Sequence, residues 1–459
     1  MDQHQPDSTY WPSEAVFYSI YPLGMLGAPE ANDFASLPVN RLQQIENWIP
    51  HIKDLGCNAL YLGPVFESDF HGYDTADYLT VDRRLGDNQA LTDLSISLHQ
   101  NGIRLVLDGV FNHVGRNFFA FKDLQVYGEN SAYRDWFCGV DFSRQSSYGD
   151  DFYYDGWYDA YNLVKLNVKN AEVSNYLLGA VASWMDNFDI DGIRLDVAEI
   201  IDKGFLAQLA AFCRARKPNF WLMGEVIKGD YNEWANQDML DSTTNYEVYK
   251  GIYSSHNDHN YFEIAWALDR QYGDDGLYRH LLLYNFVDNH DCTRIASILH
   301  QYNHLFPVYA LLFTIPGIPS VYYGSEWAIS GVKGEREDTA LRPAVSFVPD
   351  LADCALYSYI RHLIRIRQLS IALRRGSYRQ LFVNHEQLVF ERRTDDELVI
   401  VAINSSEESA SVECMTWCNE GTILQDQLDL SYKLVIANGN INITDIPASA
   451  ARILKQIAD

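Results

Sequence analysis

Short apolar runs, each trailed by a helical pattern, dominate the first three quarters of this chain. AVFYSIYP (15–22), NALYLGPV (58–65) and RLVLDGV (104–110) are continuous apolar segments, with helical spacing over 41–55 and 88–101 between them. Continuous runs mark strands covered on both faces, as in a parallel sheet wrapped by helices. The rhythm resumes with GIRLDVAE (192–199), FWLMGEV (220–226), LDSTTNY (240–246), LLLYNFV (281–287) and GIPSVYYGSE (317–326), and with helices over 172–188, 205–216 and 355–369. Eight strands alternating with helices predict an α/β fold, a (β/α)8 TIM barrel.

Two stretches break the rhythm. Residues 114–164 are rich in Tyr, Asp, Gly and Phe without a long helical pattern, and read as an insertion over the barrel mouth. Past 375, alternating runs such as QLVFERR, ELVIVAIN and YKLVIAN are separated by Asp, Asn and Gly, and predict an antiparallel β-sandwich. The expected plan is a barrel over 1–113 and 165–374, an insertion over 114–164 and a C-terminal β domain over 375–459. The longest apolar stretch (307–324) holds Pro307, Pro316 and Pro319, and reads as a buried helix entering the eighth strand, not a membrane span.

Composition narrows the function classes. A formal net charge of −27 argues against nucleic-acid binding, which needs a basic stripe. Thirty Tyr and ten Trp suit a sugar cleft, since aromatic planes cover the apolar faces of pyranose rings, though most will be ordinary core and surface residues. Seven Cys form no C-x-x-C pair, and the N-terminus MDQHQPDSTYWPSE lacks the basic and apolar regions of a secretory signal. The expectation is a cytoplasmic protein, a monomer or small homo-oligomer, with no membrane and no nucleic-acid partner.

Candidate chemistry sits where the strands end. Asp196, Glu225 and Asp291 each close an apolar run, and LVLDGVFNH (105–113) is a fourth segment of the same kind. The spacing from Asp196 to Glu225 is one strand–helix unit of roughly 30 residues, and that from Glu225 to Asp291 is two. Polar residues at the carboxyl ends of several barrel strands are expected to be catalytic. Glycosidic cleavage uses a carboxylate to support an oxocarbenium-like transition state and an acid to protonate the leaving oxygen. On adjacent strands ~4.8 Å apart, Asp196 and Glu225 can reach the ~5–5.5 Å separation of a retaining pair. Arg194, two residues before Asp196 on the same side of its strand, is expected to keep that carboxyl ionised.

In this order, DGVFNH (108–113), GIRLDVAE, the Glu225 strand end and FVDNHD (286–291) resemble the signature regions of the α-amylase family, glycoside hydrolase family 13. HGYDTADY (71–78) and GIPSVYYGSE extend the resemblance over nearly the whole chain. It implies that Asp196 is the nucleophile, Glu225 the acid/base, and Asp291 a binder of hydroxyls on the distorted sugar. By the same resemblance His113 and His290 donate to sugar hydroxyls, Tyr73 stacks beneath the ring, and Asp108 supports the nucleophile. Asp338 and Arg342 in EDTALRP would hold the next sugar. The implied substrate is a malto-oligosaccharide, the insertion is domain B and the β module domain C.

Two departures stand out. Glu199 and Ile200 replace the Lys-His that follows the nucleophile in calcium-dependent relatives, so Asn112 alone is poor support for a calcium site, and no metal ligand or other cofactor is assigned. LVKLN (163–167) resembles the MPKLN-like region of neopullulanases and cyclomaltodextrinases, although the N-terminal β domain that many of them carry is not seen. SHNDHNYFE (255–263) has His256 and His259 at metal-like spacing but no third ligand, and reads as a polar loop. The alternatives are a glucanotransferase sharing the covalent intermediate, a non-catalytic barrel scaffold, which would typically have lost a carboxylate, and a metal-dependent barrel hydrolase, which would need His-rich strand ends.

Overall fold

The computed structural model describes residues 10–335, 338–346, 354–416 and 418–457. Most of the N-terminal segment searched for a signal lies outside them. Eight parallel strands are present: β1 (Phe17–Ile20), β2 (Ala59–Leu62), β3 (Arg104–Gly109), β4 (Gly192–Leu195), β5 (Trp221–Gly224), β6 (Ser242–Thr243), β7 (Tyr284–Asn285) and β8 (Ile318–Tyr322). Each pairs with the next, except that β8 pairs with both β7 and β1, and a parallel bridge from Thr244 to Tyr284 closes the ring between β6 and β7. Alternation along the strands divides the core. Phe17, Ala59, Val106, Trp221, Met223 and Ile318 fill the barrel, whereas Tyr18, Ile20, Leu60, Leu105 and Leu222 pack against the outer helices.

The helical stretch predicted over 41–55 is two helices, Gln43–Glu46 and Ile49–Leu55. Pro50 lies in the first turn of the second, where a missing N–H breaks no helical bond. Two local readings need correction, and the segment after β2 is a hairpin. The insertion holds a nine-residue helix, Phe119–Tyr127, whose buried Ala120, Phe121 and Leu124 were masked by surrounding aromatics. A hairpin of Phe66–Ser68 with Thr75–Val81 follows β2 and carries Tyr73 in its turn. SHNDHNYFE is not a loop: His256 lies in the last turn of the helix Tyr246–Asn257, and another helix begins at Tyr261. His256 is buried, its Nδ1 bonded to the Ile252 carbonyl at 2.7 Å and its Nε2 to the Tyr261 hydroxyl at 2.8 Å, an arrangement of core packing.

The C-terminal part is antiparallel, a six-stranded sheet and a pair, Ala410–Met415 with Asn440–Ile446, around their own apolar core. Its other face joins the barrel. Leu388, Phe390, Val401 and Ile453 belong to the same apolar cluster as the barrel helices. One buried guanidinium crosses the seam, and a second lies beside it within the barrel. Arg392 donates to the Thr314 carbonyl at 2.6 Å, and Arg367 to the carbonyls of Phe313, Ile315 and Gly317 at 3.0, 3.2 and 2.5 Å. Among the described residues no helix is long and apolar enough to cross a membrane; the apolar stretch at 307 is the buried helix Leu305–Thr314, leading to β8 as expected.

Candidate active site

Strand register brings the carboxylates together. Leu195 on β4 pairs with Gly224 on β5, so Asp196 and Glu225 leave the sheet as neighbours, and Asp108 on β3 pairs with Arg194. Gly224 allows this approach, since a Cβ there would lie 2.5 Å from Leu240 Cδ1 and 2.7 Å from Ala198 Cβ. Arg194 stands at the centre. It donates to Asp196 Oδ1 at 2.9 Å and Asp108 Oδ1 at 3.1 Å, and its other nitrogen lies 2.9 Å from Glu225 Oε2. Glu225 also accepts from the Val197 backbone N–H at 3.0 Å and the Tyr246 hydroxyl at 3.2 Å. Val197 reaches that position in the left-handed region, φ 42° and ψ 43°, where β-branched residues are rare.

Electrostatics separate the acids. Burial pushes Asp196 well above the usual carboxylate range; Arg194 opposes this, while Glu225, Asp108 and Asp291 add to it. Arg194, 2.9 Å away, favours the ionised carboxylate against burial and the neighbouring acids. Asp291 moves the other way. Burial would raise it, but His290 at 3.0 Å and Arg342 at 2.7 Å hold it well below the usual range.

Burial pulls His113 down to about 3, so its ring is neutral. The Asn112 amide meets Nδ1 at 3.0 Å, which leaves the proton on Nε2, 3.9 Å from Asp196 Oδ2 and without a partner among the described residues. The His290 ring runs nearly parallel to those of Tyr21 and Tyr73, with centroids 5.8 and 5.5 Å away. The Tyr73 hydroxyl bonds His290 Nε2 and, at 3.0 Å, Asp108. Arg342 donates to the His290 carbonyl at 3.0 Å and to Asp338 at 3.2 Å as well as to Asp291, so the expected sugar-holding pair is joined to the carboxylate cluster. All ten site residues expected from the sequence thus lie in one connected cluster.

The chain matches the model of the α-amylase catalytic domain over residues 39–417. It belongs to the α-amylase family. It is 31% identical to a cyclomaltodextrinase of Thermoanaerobacter pseudethanolicus, over 86% of this chain and 71% of that protein. It is 30% identical to Neopullulanase 2 of Thermoactinomyces vulgaris, over 88% and 71%. Among solved structures, the cyclic α-maltosyl-(1→6)-maltose hydrolase of Arthrobacter globiformis superposes with a TM-score of 0.81 at 26% identity, covering 98% of this chain and 100% of that one. A debranching enzyme of Nostoc punctiforme gives 0.80 at 28%, covering 99% and 100%. The protein is accordingly a glycoside hydrolase of this family.

Tyr21, Tyr61 and Tyr246 of this α-amylase-family enzyme were missed from the sequence. Tyr61 donates to Asp108 Oδ2 at 2.7 Å. Tyr21 and Tyr246 stand at or just past strand ends, so extending the strand-end rule from acids to tyrosines would have found them. The calcium known in some family members finds a poor seat. The ~310 Å³ cleft beside Asn112 is lined by Lys165, Lys169 and Asp202, with Lys169 3.4 Å from Asp202. Glu199 is turned to the Ile227 and Lys228 amides, and Asp150 is paired with Arg116 at 2.9 Å. Among the described residues no group of three or more His, Cys, Asp or Glu could hold a metal ion.

Proposed function

We propose that the enzyme is a retaining α-glucan hydrolase of malto-oligosaccharides. The observation that carries this reading is the juxtaposition of Asp196 and Glu225 at paired strand ends, bridged by one guanidinium. Glu225 gives its proton to the glycosidic oxygen as Asp196 attacks the anomeric carbon, so the C–O bond to the leaving sugar breaks and an ester to Asp196 forms. Water then gives a proton to Glu225 and attacks the same carbon, releasing Asp196 and an α-configured sugar. Arg194 offsets charge on the cluster, and Asp291, ionised and braced by Arg342, is suited to accept from hydroxyls of the distorted ring. His113 Nε2–H is a free donor beside the nucleophile.

Both α-1,4 and, more slowly, α-1,6 bonds are proposed substrates. Val197 presents no hydroxyl to fix the acceptor sugar, the LVKLN segment resembles that of neopullulanases and cyclomaltodextrinases, and the chain is similar to a neopullulanase and to a cyclic α-maltosyl-(1→6)-maltose hydrolase. Seven free thiols favour work in a reducing compartment such as the cytoplasm. Digestion of maltotriose, pullulan, panose, isomaltose and a cyclodextrin tests the reading, with anomers followed by NMR. The α-anomer should appear first, and Asp196→Asn or Glu225→Gln should nearly abolish turnover with the fold intact. A β-anomer appearing first excludes retention; products longer than the substrate assign a transferase.

A further inference from the structure

The insertion carries a feature that the catalytic cluster does not use. His113–Val114, Ala160–Lys165 and Gly156–Trp157 form a three-stranded sheet in that order, with Trp157 next to the hairpin tip. Although another strand lies between them, the Trp157 and His113 rings approach to 6.2 Å at 42°. Trp157 Nε1 is buried with no partner among the described residues, and so is His113 Nε2. Two adjacent aromatic rings beside the nucleophile therefore each hold an N–H without an acceptor, a costly arrangement unless something else supplies one.

The next residue points the same way. Tyr158 sits at φ 49°, a conformation unfavourable for a large side chain, and its ring is 72% exposed, 5.3 Å from Trp157 and perpendicular to it. Gly156 makes the hairpin tight, since a Cβ there would meet the Ala160 carbonyl oxygen at 2.7 Å. The tip thus holds one partly buried aromatic with an orphan donor and one exposed aromatic beside it. Pyranose rings complement such a pair, with hydroxyl oxygens at the ring edge and apolar C–H groups on the faces.

We propose that Trp157 and Tyr158 read the sugar chain, with Trp157 Nε1–H donating to a hydroxyl of the glucosyl unit held against His113 and Tyr158 carrying the next unit outward. This rests on the hydrolase reading of the same cleft. The test is kcat/KM of the Trp157→Phe and Tyr158→Ala variants on maltotriose, its monodeoxy analogues and a single-glucose aryl α-glucoside. Trp157→Phe should lower kcat/KM on maltotriose about tenfold, as loss of one hydrogen bond does, and should match wild type on the one analogue lacking the hydroxyl it reads. Its melting temperature should not fall, because an unpartnered donor has been deleted. Tyr158→Ala should raise KM for maltotriose severalfold with little change on the aryl glucoside. Overturning results are a Phe variant within twofold of wild type on every substrate, one equally impaired on every deoxy analogue, or one that melts early. Wild-type turnover of the α-glucans reports on the hydrolase reading, and the ratio of variant to wild type reports on this inference. A wild type inactive on all of them sinks both.

Discussion

Replacing Arg194 by Lys keeps the charge and removes the fork. The guanidinium lies against three carboxylates and its side chain is only 4% exposed, so solvent screens little of the interaction. An ammonium cannot span all three. If the cation retreats from ~4 to ~6 Å of Asp196, its attraction at an effective dielectric of ~20 falls from ~4.2 to ~2.8 kcal/mol. A loss of ~1.4 kcal/mol corresponds to about one pH unit. The sign follows from the chemistry: the nucleophile must be ionised, losing a cation raises its pKa, and activity on the acid side is lost at higher pH. The acid limb of kcat/KM on maltotriose should therefore move up by about one unit, with the limb reporting the coupled cluster and not Asp196 alone. Thermal melts should show a loss as well, bounded by the ~3–5 kcal/mol that follows outright removal of one partner of a buried pair. An acid limb that stays in place, or moves down, would refute the role given to Arg194.

Three further outcomes are expected. Chelation with EDTA should leave activity and melting temperature unchanged, and a large fall reversed by calcium would show that the cleft beside Asn112 holds a cation after all. Asp191 is buried where β3 and β4 begin and accepts from His99, Arg104, the Leu105 amide and Lys217 at 2.8–3.2 Å, which together hold its carboxyl well below the usual range. Its stabilisation is present above its unfolded pKa of ~3.9 and fades as pH falls through the lower folded value. Asp191→Asn should thus cost about 2–4 kcal/mol at pH 7, and denaturant melts should show the gap closing in acid. Val197→Thr should narrow the linkage range, changing the ratio of α-1,4 to α-1,6 cleavage by the equivalent of roughly 1–3 kcal/mol; an unaltered ratio on panose would mean that Val197 only packs.

The barrel was legible because buried parallel strands leave continuous apolar runs, and the site because acids at the ends of such runs have little structural purpose there. Helix Phe119–Tyr127 was hidden because it is short and set among aromatics, so its apolar period has little room to show. His256 illustrates the opposite error. A polar run looked like a loop, yet a histidine whose two nitrogens find a carbonyl and a hydroxyl can be buried whole. The surroundings of Asp196 were least accessible from the chain alone. Arg194 is visible two residues away, but its burial and the nearness of Glu225, Asp108 and Asp291 come from the folded barrel.

Arg392 and Arg367 bear on how the protein can be cut or combined. Arg392, from the C-terminal sheet, gives one donor to the Thr314 carbonyl at the end of helix Leu305–Thr314 and the others to Gly376 and Ser377, whereas Arg367, from the last barrel helix, bonds the carbonyls of Phe313, Ile315 and Gly317. Deleting everything after 375 would leave the Thr314 carbonyl without its capping donor and strip apolar cover from the helix behind it. The β module is thus a lid soldered to the back of the barrel, and its modular look in sequence is misleading. Calorimetry should record one transition for both parts, and a transplanted barrel would need to bring this module with it.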